Sequence, residues 1–597
     1  MKYISLPHLK FLVHQVHPVE ELLRHPYFEA HDEESVDFML DAALQLADTY
    51  LYPYLREMDQ FVPDVEEGEV KVHPQIGKIL QKWGEDGWYS ASAPMEWGGM
   101  QLPSLVKNAT RLIFQAANNG AFGYTGSTTG ASNLLLSFGN DELRKKYLPG
   151  MFDGSAPGTM ALTEPDAGSS LSDITTSATP AEGGHYLIEG QKVFISGGDQ
   201  DCVDNIIHLM LARIDGAPQG TKGISLFVVP KYREADGALV PNDVTTAAVF
   251  HKMGQKATPA CHLIMGEKQD CHGWLVGEPH RGLSYMFQMM NEERLDVGGI
   301  AAAIASAAYY ASLQYAEERP QGRRLHQKSM DFAPVPIVQH PDVRRMLLSQ
   351  KAVVEGSFSL LLACAKYHDL TVVLEGEERE RAHLLLELLT PIAKTYPAEA
   401  AVESVSQGLQ VLGGYGYCED FVLEQLYRDV RIAPIYEGTT GIQSLDLLGR
   451  KVMMAGGKAF QMLGEEINLS IAEAEVHHDL KKYAQQLGTA FQDLQATTQH
   501  LMGIAQQGKP EVFLADATLY LHMFSHVVLG WQWLKMATVA QQHLLMGAAG
   551  QEAFYQSKVH TMRFFFAYEL RKNLGLKARL MDEDEVLTIY QEEVKIT

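Results

Sequence analysis

The stretch CHLIMGEKQDCH places Cys261, His262, Cys271 and His272 within twelve residues, a donor set of the kind that binds zinc. Neighbours on a strand face opposite sides of a sheet, so a Cys beside a His is poorly placed to grip one ion, and four ordinary residues of a β segment are expected instead. His477 and His478, followed by Asp479 and two lysines, read as a solvated helix face. The chain has no HExxH, no paired CxxC, no GxGxxG after a strand, no Walker-type GKS or GKT loop and no GxSxG. Zincin, Rossmann, P-loop and serine-hydrolase chemistry therefore have no anchor here. One acid stands out by its isolation. In APIYEGTTGIQ, Glu437 is the only carboxylate between Asp429 and Asp446, and it sits between Tyr436 and Gly438. By itself it is a loop acid.

Such residues need elements to carry them. After an extension of residues 1–33, apolar residues recur at helical spacing from Glu34, as in FMLDAALQLADTYLYPYL, broken by the turn-rich WYSASAPMEWGGMQLP. This predicts an N-terminal helical domain over 34–157. Short β-rich runs follow, TMALTEP, HYLIEGQKVFIS, NIIHLMLARI, GISLFVVP and CHLIMG, which predict a β domain over 158–281, with Glu189-Gly190 read as a hairpin turn. Helical texture returns over 282–450, interrupted at Gly413-Gly414-Tyr415-Gly416. Beyond it, Tyr483, Leu487, Phe491, Leu494 and Leu501 share one apolar helix face, predicting an additional C-terminal helical domain over 451–597. The fold class read from this order is α+β.

Composition narrows the function classes. At 597 residues, with 46% hydrophobic and 21% charged content, the chain is expected to fold into several packed units. Its net charge of −25 disfavours a general nucleic-acid-binding surface or a polybasic membrane anchor. Five scattered cysteines form no disulfide framework, and the N-terminal residues lack a continuous hydrophobic stretch, so a reducing compartment, the cytoplasm, is expected. The uncharged run Val297–Ala316 is rich in Ala and Gly and reads as an interior helix rather than a membrane span.

Six polar segments occur in a fixed order: MALTEPDAGSS (160–170), VFISGG (193–198), NEER (291–294), ERPQGR (318–323), QVLGGYGY (410–417) and IYEGTTGIQ (435–443). Together with the helical, β, helical order, they resemble the acyl-CoA dehydrogenase flavoproteins over roughly residues 35–450. The additional C-terminal helices resemble the longer bacterial members of that family, including the 3-methylmercaptopropionyl-CoA dehydrogenase type. The resemblance implies an N-terminal helical domain, a middle β-barrel-like domain and a helical bundle. It also implies FAD as cofactor and oxidation of an acyl-CoA thioester to the trans-2-enoyl-CoA.

Residue by residue, the resemblance makes Glu437 the base that removes the α-proton, while the β-hydrogen leaves as hydride to flavin N5. A carboxylate is a weak base for a carbon-bound proton, so a water-poor site must lift its pKa. The Glu437 backbone N–H and a ribityl hydroxyl of FAD would bond the thioester oxygen. Tyr436 and Gly438 would flank the substrate, and Gly438 would let the acyl chain and the ring approach the backbone. Met160, Leu162 and Thr163 are expected along the isoalloxazine edge, with Phe194 and Ser196 covering another part. Many members carry Trp-x-Thr at these last two positions; Phe-x-Ser keeps an aromatic face and a hydroxyl but loses the indole N–H.

Arg319 corresponds to the arginine that meets the FAD pyrophosphate. Gln410, Gly413 and Gly414 correspond to the segment meeting the adenosine half, across a subunit interface in the family, which implies a homo-oligomer. Thr439 would contact FAD, whereas Gly441 stands where many members carry Gln. Ser169 corresponds to a serine near the pantetheine or thioester, although PDAGS also suits a turn. Arg294 corresponds to an arginine near the substrate entrance, although an ion pair with Glu292 or Glu293 would also explain it. The implied electron acceptor is an electron-transfer flavoprotein. Alternatives on the same scaffold are an oxidase that uses oxygen and a non-catalytic flavin-containing relative that binds nucleic acid. The stretch VVLGWQWLKMATVAQQHLLMG is expected to pack on the core rather than lie on a membrane.

Overall fold

A computed structural model describes residues 2–588 except 328, 548, 549, 583 and 585, and gives the backbone alone for 287–290. Residues divide into two compact units. One comprises 1–37, 104–112 and 294–597; the other comprises 38–103 and 113–293.

The second unit holds the β segment. Helices α1 (Glu33–Leu46), α2 (Gln75–Glu85), α3 (Ser104–Phe138) and α4 (Asp141–Phe152) precede it. Helix α3 is interrupted at Asn118, whose backbone is non-helical and whose side chain donates to Leu51 O at 3.2 Å and accepts from Ala121 N at 3.1 Å. Among the described residues, strands β1 (Gly158–Ala161), β2 (Ser177–Pro180), β3 (Tyr186–Ser196), β4 (Ile207–Ile214), β5 (Ile224–Pro230), β6 (Val244–Val249), β7 (Ala260–Met265) and β8 (His272–Val276) form one sheet. Its order is β6-β7-β3-β8-β5-β4-β1, and β2 pairs with both β3 and β4. That double pairing closes β3, β8, β5, β4 and β2 into a ring, as the barrel-like expectation required.

One expectation fails here. Glu189-Gly190 is no hairpin turn, because β3 runs unbroken through both residues. Gly190 is needed for space: at φ +152° a Cβ would lie 2.6 Å from Thr176 Oγ1 and 2.8 Å from Thr176 Cα. A glycine inside a strand pattern can mark the close passage of another backbone, and here that backbone belongs to the residue just before β2.

The first unit is helical. It contains most of α5 (Gly282–Glu318), then α6 (Pro341–Val373), α7 (Gly376–Leu412), α8 (Leu423–Val430), α9 (Thr440–Gly449), α10 (Lys458–Glu475), α11 (Lys481–Gln506), α12 (Ala517–Met546) and α13 (Glu552–Tyr568). The Ala-rich run of α5 is interior, with Ala301, Ala302, Ala303, Ala305 and Ala308 fully buried. Pro397 lacks the N–H that would bond Ala393 O within α7, and α5 approaches that carbonyl so closely that a Cβ on Gly298 would come within 2.0 Å of it. Among the described residues, one helix, α6, is apolar and long enough to cross a membrane, and 83% of its apolar window is buried by protein.

Helix α12 packs into this unit as expected. Trp531 and Trp533 are buried, and Trp533 Nε1 donates to Ala352 O of α6 at 3.1 Å. A second polar tie joins the N-terminal residues to α6 and α13: buried Lys558 meets His8 Nδ1 at 2.9 Å and Glu355 Oε1 at 2.8 Å. Burial beside Lys558 drives the His8 imidazole down to about 3, so it stands neutral and accepts the lysine proton.

Candidate active site

The turn from Ile432 to Thr440 presents Glu437. Its backbone is pinned by Ile435 N to Ile432 O at 2.8 Å and Thr440 N to Pro434 O at 3.0 Å. Within that frame Glu437 takes φ +52° and Gly438 φ +88°. The left-handed region disfavours a glutamate, and residues held there against preference cluster at functional sites. Buried Gln443 reaches back from α9 to donate to Glu437 O at 3.3 Å, and a Cβ on Gly438 would lie 2.4 Å from the same Gln443 nitrogen. Thr439 caps α9, its Oγ1 accepting from Ile442 N at 3.3 Å. That bond leaves the hydroxyl proton available to donate. Gly441, in the first turn of α9, is exposed.

Glu437 and Tyr436 are half-buried. Protein walls the Glu437 carboxyl closely enough that desolvation lifts it above its ordinary value of 4.5, against the pull of Lys394 and Arg294. Lys394 is fully buried on α7, and its Nζ donates to Ala433 O at 2.7 Å. Burial lowers its ammonium to about 8, which leaves it charged at neutral pH beside the acid. Arg294 is also buried, on α5, with its guanidinium 3.8 Å from Asp446 Oδ2 on α9. Asp446 in turn accepts from Arg450 Nε at 2.7 Å.

Sequence reasoning passed over Lys394. Its signal was its solitude, since it is the only charged residue between Glu387 and Glu399 in LLTPIAKTYPA. It also passed over Glu399, which accepts from Thr440 Oγ1 at 2.5 Å and pairs with His522 Nε2 at 3.1 Å. No local pattern links residues so far apart in the chain.

Other residues expected at the site lie elsewhere on the first unit. Arg319, exposed at the end of α5, stands over the Tyr415 ring at 5.9 Å. Gln410, Gly413 and Gly414 are exposed at the end of α7, where Gly413 takes φ +61°. A helix-end glycine in that region is also what helix termination asks for.

The second unit carries the remainder. Met160 lies on β1, and Leu162 and Thr163 follow it, all half-buried. Thr163 O accepts from Val193 N of β3 at 2.9 Å, which joins this segment to Phe194 and Ser196. Phe194 takes φ +60°, remains 60% exposed and stacks on Phe250 at 4.5 Å. Ser196 is exposed at the end of β3, and Ser169 is exposed beyond the Glu164–Ala167 turn. Beneath them, Lys192 Nζ donates to Leu162 O at 3.0 Å and to Glu164 Oε1 at 2.8 Å. Glu164 also accepts from the backbone and hydroxyl of Thr175 and Thr176. Burial resists the charge on Glu164, but Lys192 and the threonine donors override it and hold the carboxyl down at about 2; Lys192 is lowered only to about 8, so the pair stands ionised.

Four family models match the chain in succession. They are the acyl-CoA dehydrogenase N-terminal domain over 33–155, its middle domain over 159–267, its C-terminal domain over 280–453, and an acetyl-CoA dehydrogenase C-terminal-like domain over 463–589. A 3-methylmercaptopropionyl-CoA dehydrogenase of Ruegeria pomeroyi is 38% identical over 88% of each chain. A broad-specificity linear acyl-CoA dehydrogenase of Mycobacterium tuberculosis is 34% identical over 93% of each. The solved structure of a Bacillus anthracis acyl-CoA dehydrogenase complexed with FAD aligns over 97% of this chain and 93% of its own, with TM-score 0.74 and 23% identity, and shares the fold.

Proposed function

From the premise that this chain belongs to the acyl-CoA dehydrogenase family of oxidoreductases, we propose that it oxidises an acyl-CoA thioester to the trans-2-enoyl-CoA with Glu437 as base. The observation that carries this reading is Glu437 itself, a carboxyl lifted by burial on a turn held in the left-handed region. A resting acid with an ordinary pKa would be a poor acceptor for a carbon-bound proton. Desolvation raises its basicity, and Lys394 and Arg294 oppose that rise. The Glu437 backbone N–H would bond the thioester oxygen as negative charge develops there. Tyr436 and Gly438 flank the acid in the chain, and Gly438 lets Gln443 pack against the turn where a side chain would collide with it.

The residues present fit FAD. Exposed Phe194 offers an aromatic face, and Met160, Leu162, Thr163 and Ser196 offer a mixed apolar and hydrogen-bonding edge suited to an isoalloxazine ring. Exposed Arg319 suits a pyrophosphate, and Gln410, Gly413 and Gly414 would meet the adenosine half across a subunit interface. Thr439 would donate its hydroxyl proton to the cofactor. When bound, the flavin supplies the acceptor for the hydride. Ser169 would lie near the pantetheine or thioester, and Arg294 near the substrate entrance, held in its buried position beside Asp446.

Further parts of the proposal are a homo-oligomer built through the Arg319 and Gln410 face, an electron-transfer flavoprotein as acceptor, and a reducing, cytoplasmic setting. The division into domains at 34–157, 158–281, 282–450 and 451–597, after the 1–33 extension, belongs to it too. The experiment is anaerobic titration of the yellow protein with straight-chain and thioether acyl-CoAs while flavin absorbance is followed. Bleaching with enoyl-CoA formation is expected. A flavin that stays oxidised with the whole panel would contradict the reaction, and full turnover in air with stoichiometric peroxide would make the enzyme an oxidase.

A further inference from the structure

Helix α7 grips the Glu437 turn on both sides. Before the acid, Lys394 Nζ holds Ala433 O at 2.7 Å; after it, Glu399 Oε1 holds the Thr440 hydroxyl at 2.5 Å. The second grip does not end on α7. Glu399 Oε2 meets His522 Nε2 of α12 at 3.1 Å, and α12 lies among the helices beyond residue 450. We propose that His522 and Glu399 are positioning residues: together they tie the additional C-terminal helices to Thr440 and thereby hold Glu437 in its left-handed conformation.

A glutamate at φ +52° relaxes unless its surroundings over-determine it. On the carboxyl-terminal side, Gln443 bonds the Glu437 carbonyl itself, and Thr440 opens the helix that carries Gln443. Thr440 is therefore the point through which α9 can pull the turn out of register or keep it there. Its hydroxyl is bonded to a carboxylate, and such a charge-assisted bond is among the stronger ones a hydroxyl can make. Glu399 is in turn fixed at both oxygens, one by Thr440 and one by His522, which removes the rotamer freedom a surface glutamate would keep. The contact gives the added helices a role in the reaction beyond bulk packing, and α12 packs along α9 as that role requires.

The inference rests on the assignment of Glu437 as base, and two readouts keep the two claims apart. His522 and Glu399 are about one-third exposed, so truncating either leaves partners that water can reach and the chain folded. The full-length, flavin-free proteins Glu399→Ala, Glu399→Gln and His522→Ala are compared with wild type by amide hydrogen exchange over 433–442. The same variants loaded with FAD are mixed with an acyl-CoA that bleaches the wild type. Both alanine variants should exchange faster in that segment and reduce flavin about 10- to 100-fold more slowly, with acyl-CoA affinity nearly unchanged. Glu399→Gln keeps an acceptor for Thr440 and should restore slow exchange. Wild-type exchange and wild-type reduction in both alanine variants would overturn the brace. Normal reduction in Glu437→Gln would instead overturn the base assignment, and the exchange comparison would still decide whether the brace exists.

Discussion

Three influences that differ in kind act on Glu437, the proposed base. Burial raises its carboxyl, Lys394 and Arg294 lower it, and Gly438 lets Gln443 close on the turn. Removing one cation therefore has a definite sign. In Lys394→Met a lowering influence disappears, so the acid limb of the pH profile for flavin reduction should move to higher pH, and the rate below that limb should fall. A limb that stays in place or moves down would show that Lys394 does not act on Glu437. The glycine gives a second test. Gly438→Ala must place a Cβ at φ +88° against Gln443, at a cost of about 1–2 kcal/mol for the left-handed backbone alone. Thermal unfolding should show that loss, and unaltered stability would mean that the turn relaxes freely. At this scale the sequence was legible where chemistry is local. The isolated acid and its glycine stand together in one segment, whereas Lys394 and Glu399 meet the turn only after α7 has folded back on it.

At the scale of elements, an ion pair joins β3 to the segment that follows β1. Lys192 and Glu164 are both buried, and Lys192 also bonds Leu162 O, so the pair sits directly under the segment assigned to the flavin edge. Glu164→Gln leaves an ammonium buried without its carboxylate and should cost about 3–5 kcal/mol in unfolding measurements. A loss below about 1 kcal/mol, the range of an exposed pair, would contradict that reading. The pH dependence has a fixed direction as well. Glu164 is held at about 2 in the folded chain against an ordinary 4.5, so its contribution is complete above about 4.5 and is lost as pH falls toward 2. Glu164→Gln should flatten acid unfolding in that window. The strands themselves were readable from their alternating apolar runs. Gly190 was misread because a glycine between two such runs fits either a turn or a close backbone passage, and only the position of Thr176 decides.

At the scale of the molecule, the order of helical and β segments and the family could be read from motif order. The integration of the last helices could not, because it depends on contacts hundreds of residues apart. Trp533 bonds Ala352, Lys558 bonds Glu355 and His8, and a Cβ on Gly356 would lie 2.7 Å from Trp533 Nε1. These helices complete a core that the preceding ones share. A chain ending at residue 450 should therefore expose that surface and lose cooperative unfolding; a truncated protein with a sharp, unshifted transition would show the last helices to be dispensable. The same integration makes His522 available to the turn that carries the proposed base.

The most direct test of the account is anaerobic mixing of FAD-loaded wild type and Glu437→Gln with the same acyl-CoA. The wild type should bleach, while the variant should bind the thioester, keep its fold and stay yellow. Bleaching of Glu437→Gln at the wild-type rate would contradict the central claim.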